Sequence, residues 1–231
     1  MIKYKYYFNN EGFPLLLLIH GWNTSSLYME GFIKPFSNAF NIININLFKN
    51  DNEVYKITDF LYQINNIVNC HQGLNKKLVI IGHSFGGKLG YFYAKKYHAD
   101  GLILLAPSLI KPHFSLKVYV KIRLYKFLKK RKIKIPSFLK GSNDYKNLSE
   151  NMKKTFLNCY DKYIKYRYID HPKTIVIGFK KDKAVKKYQI RALKKFLPKA
   201  KVVFFKGNHF SYIDYIKEIR LLYDRDFSNY I

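Results

Sequence analysis

Acidic residues are scarce in this chain: 15 Asp and Glu stand against 42 Lys and Arg, a formal net charge of +27. An excess of that size ordinarily points to nucleic acid or an anionic membrane. Arginine is scarce as well, limited to Arg123, Arg131, Arg167, Arg191, Arg220 and Arg225. Bidentate reading of phosphates and bases favours the planar guanidinium over lysine. The lysines are instead spread along the chain among abundant Asn, Ile, Tyr and Phe. That is the mixture A/T-rich codons produce, so nucleic acid is not the expected partner. Cys70 and Cys159 are the only cysteines, which excludes a disulfide framework and a cysteine metal cluster; both are expected to be reduced thiols. No run approaches the roughly 20 apolar residues a membrane-spanning helix needs. Lys3 and Lys5 before Leu15 to Ile19 imitate the start of a signal peptide, but the apolar run is too short. A cytoplasmic location is the expectation.

What the chain does have is hydrophobic residues, 48% of its 231, in short blocks broken by Gly, Asn and Pro. That supports one globular domain over residues 1–231, able to bury roughly 70 to 75% of its unfolded surface. Ile2, Tyr4, Tyr6 and Phe8 alternate with polar residues as in an edge strand. Pro14 to Ile19, Ile42 to Leu47, Lys77 to Ile81, Leu102 to Leu105, Thr174 to Ile177 and Lys201 to Phe205 read as short buried strands. Between them the spacing predicts helices along Val54 to Val68, Phe85 to Tyr97, Lys186 to Leu197 and Ser211 to Tyr223. Such alternation predicts an α/β fold, a mostly parallel sheet with helices on both faces. The basic, aromatic stretch of about residues 111–170 interrupts it as a helical cap insertion, expected over the strand ends where ligands bind.

Gly82-His83-Ser84-Phe85-Gly86 matches G-x-S-x-G between a predicted strand and a predicted helix. A turn that sharp needs small residues two before and two after the serine, and Gly82 and Gly86 supply them. Ser84 is the candidate nucleophile. An acyl-transfer site also needs two N–H donors for the oxyanion. The N–H of Phe85, at a helix start, is one candidate; the N–H of Trp22, in His20-Gly21-Trp22-Asn23 after another strand, is the second. The His20 ring itself is expected to be structural.

With these motifs in this order, the chain resembles the α/β-hydrolase superfamily over nearly its whole length. The resemblance implies the chain order serine, acid, histidine, with the acid after a late strand and the histidine after the last one. Asp182 and His209 stand at those places, so it implies a triad of Ser84, Asp182 and His209. Three departures stand out: Phe179 where relatives often have Gly, Phe48-Lys49-Asn50-Asp51 where an Asp-x-x-Gly loop is common, and Asn208 where Gly often precedes the histidine. His71, His98, His113 and His171 are expected to be surface or cap histidines.

The function implied is that of a serine hydrolase, cleaving a carboxylic ester through an acyl-enzyme, as a carboxylesterase, lipase or lysophospholipase-like enzyme. That chemistry calls for no metal and no cofactor. The substrate is then a small-molecule or lipid ester. Thioesterase, C–C hydrolase, acyl-transfer and haloperoxidase-like chemistry stay open, because one fold hosts them all. Ser84 argues against a dehalogenase, which carries Asp as nucleophile. The alternative from another class is a non-catalytic basic module that binds anionic lipid or nucleic acid. The basic cap reads as a solvated cover or, more sharply, as a lid in peripheral contact with an anionic membrane.

Overall fold

A computed structural model describes residues 2–48, 53–71, 77–113, 116–136 and 148–227. The strands are β1 (Lys3–Tyr7), β2 (Leu15–Ile19), β3 (Asn41–Asn46), β4 (Leu78–His83), β5 (Gly101–Leu105), β6 (Lys173–Phe179) and β7 (Lys201–Phe205). The helices are α1 (Ile33–Phe36), α2 (Ile57–His71), α3 (Phe85–Tyr97), α4 (Leu116–Lys130), α5 (Glu150–Tyr160), α6 (Lys187–Phe196) and α7 (Ile216–Phe227). Short 3₁₀ helices over Ser26–Phe32 and Ser211–Tyr215 precede α1 and α7. The last helical segment therefore divides in two where a single run is expected from Ser211.

One sheet of seven strands runs in the order β1-β3-β2-β4-β5-β6-β7. All neighbours are parallel except β1, which pairs antiparallel with β3 at the edge. Every residue of β2 and β5 is buried, as strands covered by helices on both faces must be, and their unbroken Leu and Ile runs reflect it. By contrast, β1 leaves Lys3, Tyr4 and Lys5 exposed. Of the three asparagines in β3, Asn41 and Asn44 are buried exceptions to its apolar character. The Asn41 side chain accepts the N–H groups of Asn9 and Asn10 at 2.7 and 3.1 Å and donates to the Asn10 carbonyl, so it closes the loop between β1 and β2. The Asn44 side chain donates to the Ser26 carbonyl.

The chain steps outward from β2 to β3 and then crosses back past β2 to β4. With right-handed crossovers, this reversal sends successive helices to opposite faces and opens a crevice at the carboxyl ends of β2 and β4. On one face α1 meets α7, tied by the Arg220 guanidinium, which donates to the Pro35 carbonyl at 2.7 Å. On the other, α2 packs Ile57, Phe60, Leu61, Ile64, Ile67 and Val68 inward at helical spacing and lies against α3.

Between β5 and β6 the two described helices differ. Met152, Thr155 and Cys159 of α5 are buried, and the Ser149 hydroxyl caps it by accepting the Met152 N–H. None of the described side chains of α4 is buried. Ile122, Tyr125 and Leu128 are half-buried, whereas Val120, Leu124 and Phe127, on the opposite side of the helix, are 55%, 42% and 51% exposed. No helix among the described residues is long and apolar enough to cross a membrane. Of the unfamiliar loop expected after the third strand, Phe48 packs between His20 and Trp22, and residues 49–52 lie outside the described residues.

Candidate active site

The crevice brings four loops together. After β4 the chain turns sharply at Ser84, whose φ of 53° and ψ of −108° lie in a region a non-glycine residue rarely enters. Such a conformation costs about 1–3 kcal/mol and persists only where the surroundings hold it. Here the Ser84 N–H donates to the Leu105 carbonyl at 2.8 Å, while its own carbonyl accepts the N–H groups of Lys88 and Ser108, each at 3.1 Å. A Cβ on Gly86 would sit 2.1 Å from the Ile19 carbonyl oxygen, and one on Gly82 would sit 2.5 Å from that of Gly86. Both contacts are far inside van der Waals distance, so β2 can lie against the turn only with glycine at these positions. The turn exposes Ser84 to a cavity of about 260 Å³.

Phe85 begins α3, where a backbone N–H has no acceptor within the helix. The Trp22 N–H, in the turn after β2, has no acceptor among the described residues. Its indole packs edge-on against Phe48, Phe85 and Phe156, which fixes the turn between the sheet and α5. His20 is fully buried. Its Nδ1 lies 2.8 Å from the Gly21 carbonyl, and its Nε2 accepts the Leu47 N–H at 2.9 Å. Burial pulls its pKa down to about 4, so the ring is a neutral strut between the ends of β2 and β3.

Asp182 and His209 reach the same place from the far side. The His209 Nδ1 lies 2.7 Å from Asp182 Oδ2. The other carboxylate oxygen accepts the N–H groups of Ala184 and Val185 at 2.7 and 2.9 Å. The acid is thus fully engaged and its side chain has no exposure, against 16% for the histidine. Phe179 does not disturb this arrangement: it ends β6 as a buried core residue, and the turn beyond it is held by the Lys180 N–H donating to Phe205 O and the Lys181 N–H to Gly207 O. Asn208 rebuilds its loop with side-chain bonds. Its N–H donates to Ser211 Oγ, its own Oδ1 accepts the Phe210 N–H, and Gly207 before it takes a φ of +101°.

His83 is a contact that the motif spacing does not reveal. It is 1% exposed, and its Nε2–H donates to the backbone carbonyl of His209 at 2.9 Å. Its ring lies 4.6 Å from the His209 ring. Burial, with the nearby His209, lowers its pKa to about 3, which keeps it neutral and fixes the donor. One hydrogen bond therefore ties the residue before Ser84 to the histidine loop. Ser84 Oγ makes no hydrogen bond to His209 in this structure.

The cavity wall comes from Trp22, Ser84, Ser108 and Val185 on the sheet side and from Phe156 and Tyr160 on α5. No described side chain of α4 lines it, so only part of the expected cap covers the site. Lys88, buried at the wall, also escapes motif reading. Among the described residues no three His, Cys, Asp or Glu side chains are placed to share a metal ion. His171, expected at the surface, is buried: its Nδ1 lies 2.7 Å from the Pro172 carbonyl and its Nε2 accepts the Lys199 N–H.

The family described as alpha/beta hydrolase fold matches residues 14–132. Among solved structures, a thermophilic esterase from Thermogutta terrifontis is 17% identical, with 97% of this chain and 92% of that chain covered at a TM-score of 0.68. A membrane phospholipase A described as a bacterial virulence factor is 18% identical, with 99% and 82% covered and a TM-score of 0.74. A mutant of the meta-cleavage product hydrolase CumD is 16% identical, with 99% and 94% covered and a TM-score of 0.71. At these identities the likeness is one of fold. No curated protein matches the chain by sequence.

Proposed function

This chain belongs to the α/β-hydrolase family, and from that premise we propose that it is a serine hydrolase that cleaves carboxylic esters, with Ser84, Asp182 and His209 as its triad. The observation that carries the proposal is the 2.7 Å contact between Asp182 and His209, with the second carboxylate oxygen held by two backbone N–H groups. Such a contact holds the imidazole in the tautomer whose Nε2 is free to accept a proton. Its Nε2 takes the Ser84 hydroxyl proton as Oγ attacks the ester carbonyl carbon. The oxyanion formed is stabilised by the N–H groups of Trp22 and Phe85. Collapse breaks the bond to the leaving alcohol, which takes the proton from Nε2. Water then attacks the acyl-enzyme, passing its proton to the same nitrogen, and Ser84 is regenerated with release of the acid. The Ser84–His209 hydrogen bond that this step requires is of the kind that tightens as substrate binds.

The cavity is smaller than the roughly 300–1,000 Å³ of most ligand pockets, so short acyl groups suit it. A series of 4-nitrophenyl esters tests the reading. Acetyl to butyryl esters should be cleaved well above the background of Ser84→Ala, with kcat/KM falling once the chain outgrows the cavity. Absence of turnover across the series in folded protein would remove the ester assignment and leave the other chemistries of the fold, or the basic binding module.

The exposed face of α4 supports a second reading, in which the ester with its short acyl group belongs to a lipid presented at a membrane. Val120, Leu124 and Phe127 form an outward apolar stripe, and the sequence from Lys111 to Asn143 contains many lysines and no acidic residue. An apolar face flanked by cations suits an anionic bilayer surface. Replacing Lys129, Lys130, Arg131 and Lys132 by Gln should weaken salt-sensitive binding to phosphatidylserine-containing vesicles, at about 1 kcal/mol per charge removed. Hydrolysis of a lipid ester in those vesicles should slow, and that of a short soluble ester should hold. Equal slowing of both, or no vesicle binding by the wild type at low salt, would leave α4 as a solvated helix.

A further inference from the structure

Lys88 is a charged residue of the cavity wall that acyl transfer leaves without a role. It lies one helical turn beyond Ser84 on α3 and is only 3% exposed. Its Nζ donates to the carbonyls of Cys159 at 3.3 Å and Tyr160 at 3.2 Å, and it stands 4.7 Å from the centre of the Tyr163 ring. An ammonium carries three N–H donors, so one remains without an acceptor among the described residues. None of the ion pairs among the described residues includes Lys88. The Cys159 thiol is no counter-ion, because burial pushes its pKa up to about 12.

A cation removed from water is costly unless it is matched. Two carbonyls at the C-terminus of α5, the negative end of its dipole, offset part of that cost. Burial draws the Lys88 pKa down to about 8, with the Asp161 carboxylate acting against it, so the group stays protonated at neutral pH. A net positive charge thus faces a mostly apolar cavity beside the candidate nucleophile, and it would be matched by a ligand with a negative charge.

We propose that Lys88 is a specificity-determining residue that selects esters whose short acyl chain ends in a carboxylate, received at its free N–H while Ser84 attacks the ester carbon. The proposal rests on the serine-hydrolase reading. Phe156 and Tyr160 supply the apolar wall for the methylene segment, and Lys88 supplies the charge at its end. A hydrogen bond between charged groups in such a setting is worth about 1.5–3 kcal/mol, or about 10- to 100-fold in kcat/KM. The alternative is that Lys88 merely fastens the C-terminus of α5 to α3, in which case its loss would affect every substrate alike.

The test compares monomethyl glutarate with methyl valerate, acyl chains of equal length that differ in a terminal carboxylate, by proton release against a Ser84→Ala blank. The wild type should favour the glutarate ester, and Lys88→Met should lower the ratio of the two kcat/KM values by about 10- to 100-fold. Labelling of Ser84 by a fluorophosphonate verifies that the variant keeps a working site. A wild type with no preference for the anionic ester overturns the proposal whether or not the variant folds. So does a variant that slows both esters by the same factor. Turnover of valerate without preference would leave the serine-hydrolase reading intact, whereas loss of both activities together with absent labelling would remove that reading and this proposal with it.

Discussion

Replacing Ser84 or His209 by alanine should lower ester turnover by about 10⁴-fold or more, with the double variant little worse than either single one. The two act as a unit, since a serine hydroxyl without its base is a weak nucleophile and the base without the serine has no acyl acceptor to activate. Neither change should unfold the chain. Alanine at position 84 carries the same backbone strain as serine, and the bonds that hold the turn are made by the Ser84 main chain. Removing the His209 ring leaves Asp182 with the N–H groups of Ala184 and Val185. Steady-state rates at matched thermal midpoints check this, and near wild-type turnover in either variant would end the triad assignment.

Asp182→Asn should be almost as damaging, a loss of up to about 10⁴-fold in kcat, equivalent to about 5 kcal/mol, with substrate binding retained. The geometry dictates which way the amide must face. Oδ1 already accepts two N–H groups, so an asparagine keeps its oxygen there and turns its NH₂ towards His209 Nδ1. That nitrogen must then accept, which moves the ring proton to Nε2 and leaves nothing to take the proton from Ser84. Measured kcat and KM separate this from a binding defect. An unchanged kcat would point to another acid.

The parts of the site that were legible in the sequence are those specified locally. Gly82, Ser84 and Gly86 mark a turn because the backbone there has no room for a side chain. The apolar runs of β2, β4 and β5 announce a buried parallel sheet, and the serine, acid, histidine order that the family resemblance implies picks out Asp182 after β6 and His209 after β7. Contacts that join distant segments were not legible. The bond from His83 to the His209 carbonyl spans 126 positions, and nothing around His83 distinguishes it from any residue filling the variable place of the motif. Lys88 reads as one more lysine in a lysine-rich chain until burial sets it apart. The apolar residues of α4 surround the helix, so their pattern does not tell a face over the cavity from a face to solvent; the structure shows the latter for Val120, Leu124 and Phe127. His171 reads as a surface residue because Lys199, whose N–H its Nε2 accepts, reaches it only in the fold.

The most direct test of the central claim is the site of covalent labelling. Incubation with a fluorophosphonate, proteolysis and mass spectrometry should place the adduct on Ser84, abolished in Ser84→Ala and strongly slowed in His209→Ala. Wild-type protein that hydrolyses esters yet carries the adduct elsewhere, or carries none, would contradict it.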